Sequence, residues 1–331
     1  MTTATVDMAG GPIGGAGRFR AEVRGYLERS ARDDIKVIGT RRRLSPAWLA
    51  AREAAAVRRS RRIALNNVGF LTPGGERWTL LSNALHFLTG PETAALDPGL
   101  RAAVSRQARV VHGAARRSDV LVAPCTAMAG RITAALPDVA DRVVVRMHPV
   151  FAGSAPAGSA SADPVPPRRP DESLILCPVL FAPYKYMADR LAEWLAAADG
   201  TLDDSVRMIV TADTAQVPAR LAASPRLRFA GPLGPGQLNE LWARSRAVYF
   251  PTGLESFGWP LAEARVYGKP VIARDTAQNR EIAGSALRGF IAGDPDSLRQ
   301  ATESALAARV SPDPAPFDPD AYFDWLLGAA R

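Results

Sequence analysis

Residues 251–273 read PTGLESFGWPLAEARVYGKPVIA, and this window decides the fold. The apolar, β-rich run AVYF (247–250) stops at Pro251. A glycine-containing loop follows, then the helix-forming stretch LAEARVY, which runs to Gly268-Lys269-Pro270 before a second apolar run, VIA. Strand, loop, helix, turn and strand in that order make a βαβ unit, whose loop opens a helix at the carboxyl edge of a parallel sheet. Open α/β sheets place ligands at that edge, and a helix N-terminus there favours an anion. Glu255 lies in the loop and Glu263 follows on the helix. Carboxylates accept well from hydroxyls. Two of them beside an anion site point to a ligand with both phosphate and hydroxyl groups, as a sugar nucleotide has.

The same alternation extends in both directions. Upstream of the window, SLILCPVLF (173–181), RMIVTA (207–212) and RLRFAG (226–231) read as strands, with MADRLAEWLAAA (187–198) and QLNELWARS (237–245) as helices. Residues 154–170, SAPAGSASADPVPPRRP, are rich in Pro, Ala, Ser and Gly and lack periodicity, which marks a linker. Before it come strand TATVDM, loop AGGPIGGAG, helix RFRAEVRGYLERSA, strand DIKVIG, helix PAWLAAREAAAV and strands RIALNNV and WTLLSN. A long helix over 92–117, strand DVLVAP, helix TAMAGRITAAL and strand RVVVRM complete this half. The Gly74-Gly75-Glu76-Arg77 turn is expected to close a hairpin. Strands alternating with helices imply parallel sheets, one in each half.

Composition fits two globular domains. The chain has 331 residues, 47% hydrophobic and 22% charged, and no run approaches the roughly 20 apolar residues that span a membrane. The start, MTTATVDMAGG, lacks the basic and apolar regions of a secretory signal, so a cytoplasmic location is expected. Cys125 and Cys177 have no metal-ligand spacing and read as buried small residues; neither a disulfide framework nor a metal site is expected. The net charge of +8 is partly clustered at Arg41–Arg43 and at Arg58, Arg59, Arg61 and Arg62. A solvated arginine face explains this, or a patch for an anionic acceptor or the inner membrane face. Without interleaved aromatic residues it does not suit nucleic acid.

Four further places carry candidate chemistry. Glycines 10, 11, 14, 15 and 17 lie between the first strand and first helix, where backbone amides can cradle a diphosphate. The spacing is not the dinucleotide fingerprint, and an ordinary glycine-rich turn remains the other reading. Lys185 follows the first strand of the second half. Gly231-Pro232-Leu233 follows another strand and offers backbone groups to a base edge. His86, in LLSNALHFL, is either a core histidine or a polar group at a strand end.

With these residues assembled, the pattern Glu255-Ser-Phe257-Gly258-Trp-Pro260-Leu-Ala-Glu263-Ala, followed by Gly268-Lys-Pro-Val-Ile, resembles the E-x7-E donor-site signature of retaining GT-B glycosyltransferases of the family 4 kind. The resemblance implies an α/β GT-B fold: two Rossmann-like parallel-sheet domains facing each other across a cleft. It divides the chain into an acceptor-binding domain (1–153), the linker (154–170), a nucleotide-sugar-binding domain (171–310) and a C-terminal segment crossing back to the first domain (311–331). It implies transfer of a sugar from a nucleotide-diphosphate donor to an acceptor hydroxyl, with retention of configuration, no metal and no cofactor. Glu255, Lys185 and His86 would be catalytic. Gly14, Gly15, Gly231, Leu233, Phe257, Gly258 and Glu263 would bind the donor. The expected partners are that donor and a small-molecule, saccharide or lipid-linked acceptor.

One departure stands out. Relatives carry Gly-Arg shortly before the lysine, whereas this chain has Val179-Leu180. Arg190 and Arg18 are conceivable substitutes. The departure also keeps open a catalytically degenerate sugar-nucleotide-binding protein, and the architecture alone an epimerase.

Overall fold

The computed structural model describes residues 3–11, 14–151 and 171–328. The expected linker, 154–170, lies outside the described residues, as do Pro12 and Ile13 of the first glycine segment. Two compact units divide the chain. The first takes Met1–Pro149, Glu255–Phe257 and Phe317–Arg331; the second takes Val150–Leu254 and Gly258–Pro316.

The first unit runs β1 (Ala4–Asp7), α1 (Gly14–Ser30), β2 (Ile35–Ile38), α2 (Pro46–Ala55), β3 (Arg61–Ala64), β4 (Arg77–Leu80), α3 (Gly90–Ala95), α4 (Pro98–Ala115), β5 (Val120–Ala123), α5 (Thr126–Ala135) and β6 (Val143–Val145). Its sheet has the order β2-β1-β3-β4-β5-β6 with every pairing parallel. Central strands such as β1 are buried along their whole length, which a parallel sheet covered on both faces requires.

Three local expectations are corrected here. Gly14 to Gly17 are not loop: they form the first turn of α1, with Gly14 at a left-handed φ of 72°. Glycine's poor helix propensity costs least at that end, where the amides lack intrahelical partners anyway. The helix expected over 92–117 is two helices. Asp97 accepts from the Leu100 amide at 2.9 Å and Pro98 takes the first helical position, so a new helix starts there. Gly74–Arg77 closes no hairpin, because β3 and β4 pair in parallel (Ile63 opposite Trp78) and Leu65–Glu76 is a helix-free crossover. Gly75 is required at its φ of 68°, since a Cβ there would fall 2.1 Å from the Ser60 carbonyl oxygen.

The arginine cluster is divided in use. Arg41–Arg43, Arg58 and Arg59 are exposed. Arg62 is fully buried and donates to the Thr72 carbonyl at 2.6 Å, while Arg61 lies over the Trp78 ring and donates to the Trp325 carbonyl at 2.9 Å.

The second unit runs β7 (Asp171–Cys177), α6 (Met187–Ala198), β8 (Arg207–Val210), α7 (Ala219–Ala222), β9 (Leu227–Phe229), α8 (Pro235–Arg244), β10 (Ser245–Phe250), α9 (Trp259–Tyr267), β11 (Val271–Arg274), α10 (Ala277–Ala283), β12 (Leu287–Phe290) and α11 (Pro295–Ala307). The last helix, α12 (Pro319–Leu327), belongs to the first unit. There Phe323 packs 5.2 Å from Tyr26 and 5.9 Å from Phe19 of α1. In α6, Met187, Leu191, Trp194 and Ala198 are buried, a helical stripe laid on the sheet.

The sheet of the second unit, β12-β11-β10-β7-β8-β9, is also parallel throughout. The chain lays β8 and β9 outward from β7, then returns to place β10 on its other side. Strand order therefore reverses between β7 and β10, and the crevice outside their carboxyl ends is where such sheets bind ligands.

Candidate functional site

The reversal places two connections next to each other at one edge of the second sheet. The first, Pro178–Tyr186, leaves β7 and ends in a short 3-10 turn, Pro183–Lys185. Tyr186 follows in the left-handed region (φ 50°) and caps α6, so Lys185 sits on a tightly turned segment at the start of that helix. The second connection, Pro251–Gly258, leaves β10 and leads into α9.

Two glycines bound α9. Gly258 takes the cap position at φ 87°, and a Cβ there would lie 2.9 Å from Leu261 Cδ1 and 3.1 Å from Phe250 Cε1. Gly268 ends the helix at φ 63°, where a Cβ would fall 2.7 Å from the Val310 carbonyl oxygen. Glu263 is on the buried face of α9 at 9% exposure. Lys269, which follows Gly268, donates to the Ser245 carbonyl at 2.7 Å and ties the turn to the base of β10.

Glu255, Ser256 and Phe257 group with the first unit. The Ser256 hydroxyl donates to the Ser82 carbonyl at 2.7 Å, and Cys125 Sγ donates to the Ser256 carbonyl at 3.2 Å. The Phe257 ring is buried, 5.0 Å from His148 and 6.3 Å from Phe317. These contacts hold the backbone that carries Glu255. Phe257 itself is a packing residue, so any ligand contact it makes comes from its amide.

Arg274 ends β11, beside β10. Its guanidinium lies against Gly253, where a Cβ would come 2.5 Å from Nη1. Burial, together with the charge of Arg190, holds its pKa below the ordinary arginine value. Arg190, on α6, pairs with Glu193 at 2.5 Å, and its carbonyl accepts from the Tyr249 hydroxyl at 3.0 Å. Sequence reasoning did not single out Arg274. The apolar run before it marked a strand, but which cations gather at the edge depends on strand order. Leu180, where the resemblance implies an arginine, is 50% exposed hydrocarbon. Arg18 is in α1 and pairs with Glu22 at 2.8 Å.

Gly231 lies two residues beyond the short β9, in a left-handed turn (φ 69°). Its amide donates to the Ala212 carbonyl at 2.9 Å, and Leu233 is partly exposed just beyond. In the second unit Lys185, Arg190, Gly231, Leu233, Gly258 and Glu263 lie on segments that follow strands, and Arg274 ends one.

The remaining candidates belong to the first unit, whose strand order reverses between β1 and β3. Gly10 (φ 143°) and Gly11 follow β1; Asn66 and Asn67 follow β3. Gly14 and Gly15 are exposed at the start of α1. Below them Asp7 knits the edge together: its carboxylate accepts from Arg52 Nη1 at 2.7 Å, Asn66 Nδ2 at 2.8 Å, the Ala9 amide at 3.0 Å and Trp48 Nε1 at 3.1 Å. His86 lies in the 3-10 turn Ala84–Phe87, 8% exposed, with Nε2 3.4 Å from Asn83 Nδ2 and 3.5 Å from Gln107 Oε1. Burial lowers its pKa, so the ring is neutral near pH 7. Both cysteines are buried thiols outside any disulfide. Among the described residues no group of three or more His, Cys, Asp or Glu could hold a metal ion, and no helix is long and apolar enough to cross a membrane.

Residues 219–314 match the family model described as glycosyl transferases group 1. Over 70 residues the chain is 43% identical to the serotype-specific mannosyltransferase WbdA of Escherichia coli, which covers 21% of this chain and 9% of that protein. The chain thus matches less than a tenth of that relative's length. Among solved structures, HepE of Anabaena in complex with UDP and glucose superposes with a TM-score of 0.58 at 15% identity, covering 98% of this chain and 95% of the other. An α,α-trehalose-phosphate synthase (UDP-forming) of Burkholderia vietnamiensis superposes with a TM-score of 0.61 at 10% identity, covering 99% and 97%. The fold is that of GT-B glycosyltransferases. Within this GT-B chain the family match takes in Gly231, Leu233, Glu255, Phe257, Gly258, Glu263 and Arg274, while Lys185 lies upstream of it.

Proposed function

We propose that the protein is a glycosyltransferase that moves a sugar from a nucleotide-diphosphate donor to an acceptor hydroxyl with retention, without a metal. The observation that carries this reading is the Pro251–Gly258 loop and α9, at the strand-order reversal of a GT-B domain and inside the group 1 match. In this reading Glu263 accepts hydrogen bonds from the nucleotide ribose and Glu255 from the sugar hydroxyls. Backbone groups of Gly231 and Leu233 meet the base edge. Lys185 and the amides of Phe257 and Gly258 stabilise charge on the departing diphosphate.

The bond from the anomeric carbon to the diphosphate oxygen breaks while a bond to the acceptor oxygen forms on the same face. The acceptor proton passes to the leaving phosphate. The first unit is assigned the acceptor; Gly14 and Gly15 are read as donor-binding and His86 as catalytic. A neutral His86 would donate or accept a hydrogen bond rather than supply charge. The exposed Arg41–Arg43 segment, whose Arg42 carbonyl accepts from the Gly10 amide at 2.9 Å, suits an acceptor that is itself anionic.

A thermal-shift panel of UDP-, GDP-, ADP- and dTDP-sugars tests the donor site, with nucleotide-activated mannose included because of the mannosyltransferase match. A ligand that binds the folded state at a hundredfold excess over Kd stabilises it by roughly 2.7 kcal/mol. Stabilisation by one nucleotide series, weakened in Glu255→Ala and Glu263→Ala, is expected. No shift with any donor would remove the reading.

A further inference from the structure

We propose that Arg274 is the cation that grips the donor's diphosphate in this chain, an assignment that rests on the donor reading above. Three observations and one chemical argument converge on it. Arg274 ends β11 and faces the connection that leaves β10, so it stands at the ligand edge of the sheet. Gly253 makes room for it: the 2.5 Å from a would-be Cβ to Nη1, and 3.1 Å to Cζ, show that any side chain at 253 would displace the guanidinium.

The guanidinium also has no ion pair of its own among the described residues, where the charge of Glu193 acts on it only from a distance. Its Nε is buried with no hydrogen-bond partner. The nearby carboxylate, Glu193, is engaged by Arg190. Two guanidiniums share one carboxylate in a partly buried place, and such an arrangement is costly unless an anion completes it. Finally, the planar fork of an arginine matches two phosphate oxygens at once, which a single lysine cannot do. Lys185 then supplies a point charge from the neighbouring connection, and the exposed Leu180 leaves the place of the expected arginine without a cation. Diphosphate is the chemistry that fits; free pyrophosphate and a nucleoside diphosphate both carry it, and the test separates them.

Calorimetric titration of the wild-type chain and Arg274→Gln with a nucleoside, its monophosphate, its diphosphate and inorganic pyrophosphate reads the contact directly. The expected result is a loss of about 10- to 100-fold in nucleoside diphosphate affinity in Arg274→Gln, with nucleoside affinity unchanged, the scale of one charge-assisted contact. Gly253→Ala, which keeps the charge but fills the space of Nη1, should weaken the diphosphate in the same direction, and ligand-free melting curves of both variants report their folding. Unchanged diphosphate affinity in both variants overturns the assignment while leaving the donor reading standing. Pyrophosphate binding that depends on Arg274, without binding of any nucleotide, supports the anion site and overturns the donor reading. Binding of neither by the wild-type chain overturns both.

Discussion

Asp7 and Arg52 form an ion pair at 2.7 Å in which both side chains are wholly buried, and this pair holds the carboxyl edge of the first sheet together. Arg52 Nη2 also donates to the Gly69 carbonyl at 2.6 Å, and the guanidinium lies over Phe70. The pair joins the end of β1, α2 and the segment after β3. Removing one partner strands a buried charge, at a cost of about 3–5 kcal/mol. Arg52→Ala should therefore lower the unfolding midpoint strongly in urea. Asp7→Leu with Arg52→Met together should cost much less than either alone. Equal, additive losses would contradict the pairing.

Gly258 caps α9 in a left-handed conformation that costs an L-residue roughly 1–2 kcal/mol, before any clash with Leu261 or Phe250 is counted. Gly258→Ala should destabilise the second unit by at least that amount and misplace the first turn of α9. The check is a paired measurement: urea unfolding for stability, and donor-induced thermal shift for the site. A variant with wild-type values in both would show that the glycine is not needed for this geometry.

His148 is buried among Phe19, Phe257 and Tyr322, and burial pushes its pKa down to about 3. The unfolded chain holds this imidazole near 6.5, so between about pH 6.5 and pH 3 the unfolded state binds the extra proton. Stability is then fully present above about 6.5 and falls by up to about 1.4 kcal/mol per pH unit as pH drops through that window. His86, shifted in the same direction by burial, adds to the slope. His148→Leu should flatten the pH dependence of the urea midpoint between pH 7 and 5. An unchanged slope would show that the imidazole is not kept neutral by the fold.

Short-range patterns were legible in the sequence and long-range ones were not. The window at 251–273 showed β10, α9 and β11 because strand, glycine turn and helix each leave a local signature, and α6 was bounded correctly by its apolar spacing. Gly74–Arg77 looked like a hairpin because turn chemistry does not encode whether the next strand pairs parallel or antiparallel. Arg61 and Arg62 looked like surface charge because their partners, Trp325 and Thr72, are not predictable from the cluster itself. Asp7 carries no local signal for a similar reason: Trp48, Arg52 and Asn66 are 41, 45 and 59 residues away. Arg274 required the strand order β11-β10-β7, which brings it to the edge beside Gly253.

The most direct test of glycosyl transfer is donor cleavage. The purified chain, with the nucleotide sugar that most stabilises it, is incubated alone and with saccharide, lipid-linked and anionic small-molecule acceptors, and released nucleoside diphosphate is quantified. The wild-type chain should release nucleoside diphosphate faster when an acceptor is present, with a fall of about 10²- to 10³-fold in Lys185→Ala, the scale for removing one transition-state stabiliser. A chain that binds a nucleotide sugar yet releases no nucleoside diphosphate with any acceptor would contradict glycosyl transfer and leave a sugar-nucleotide-binding protein in its place.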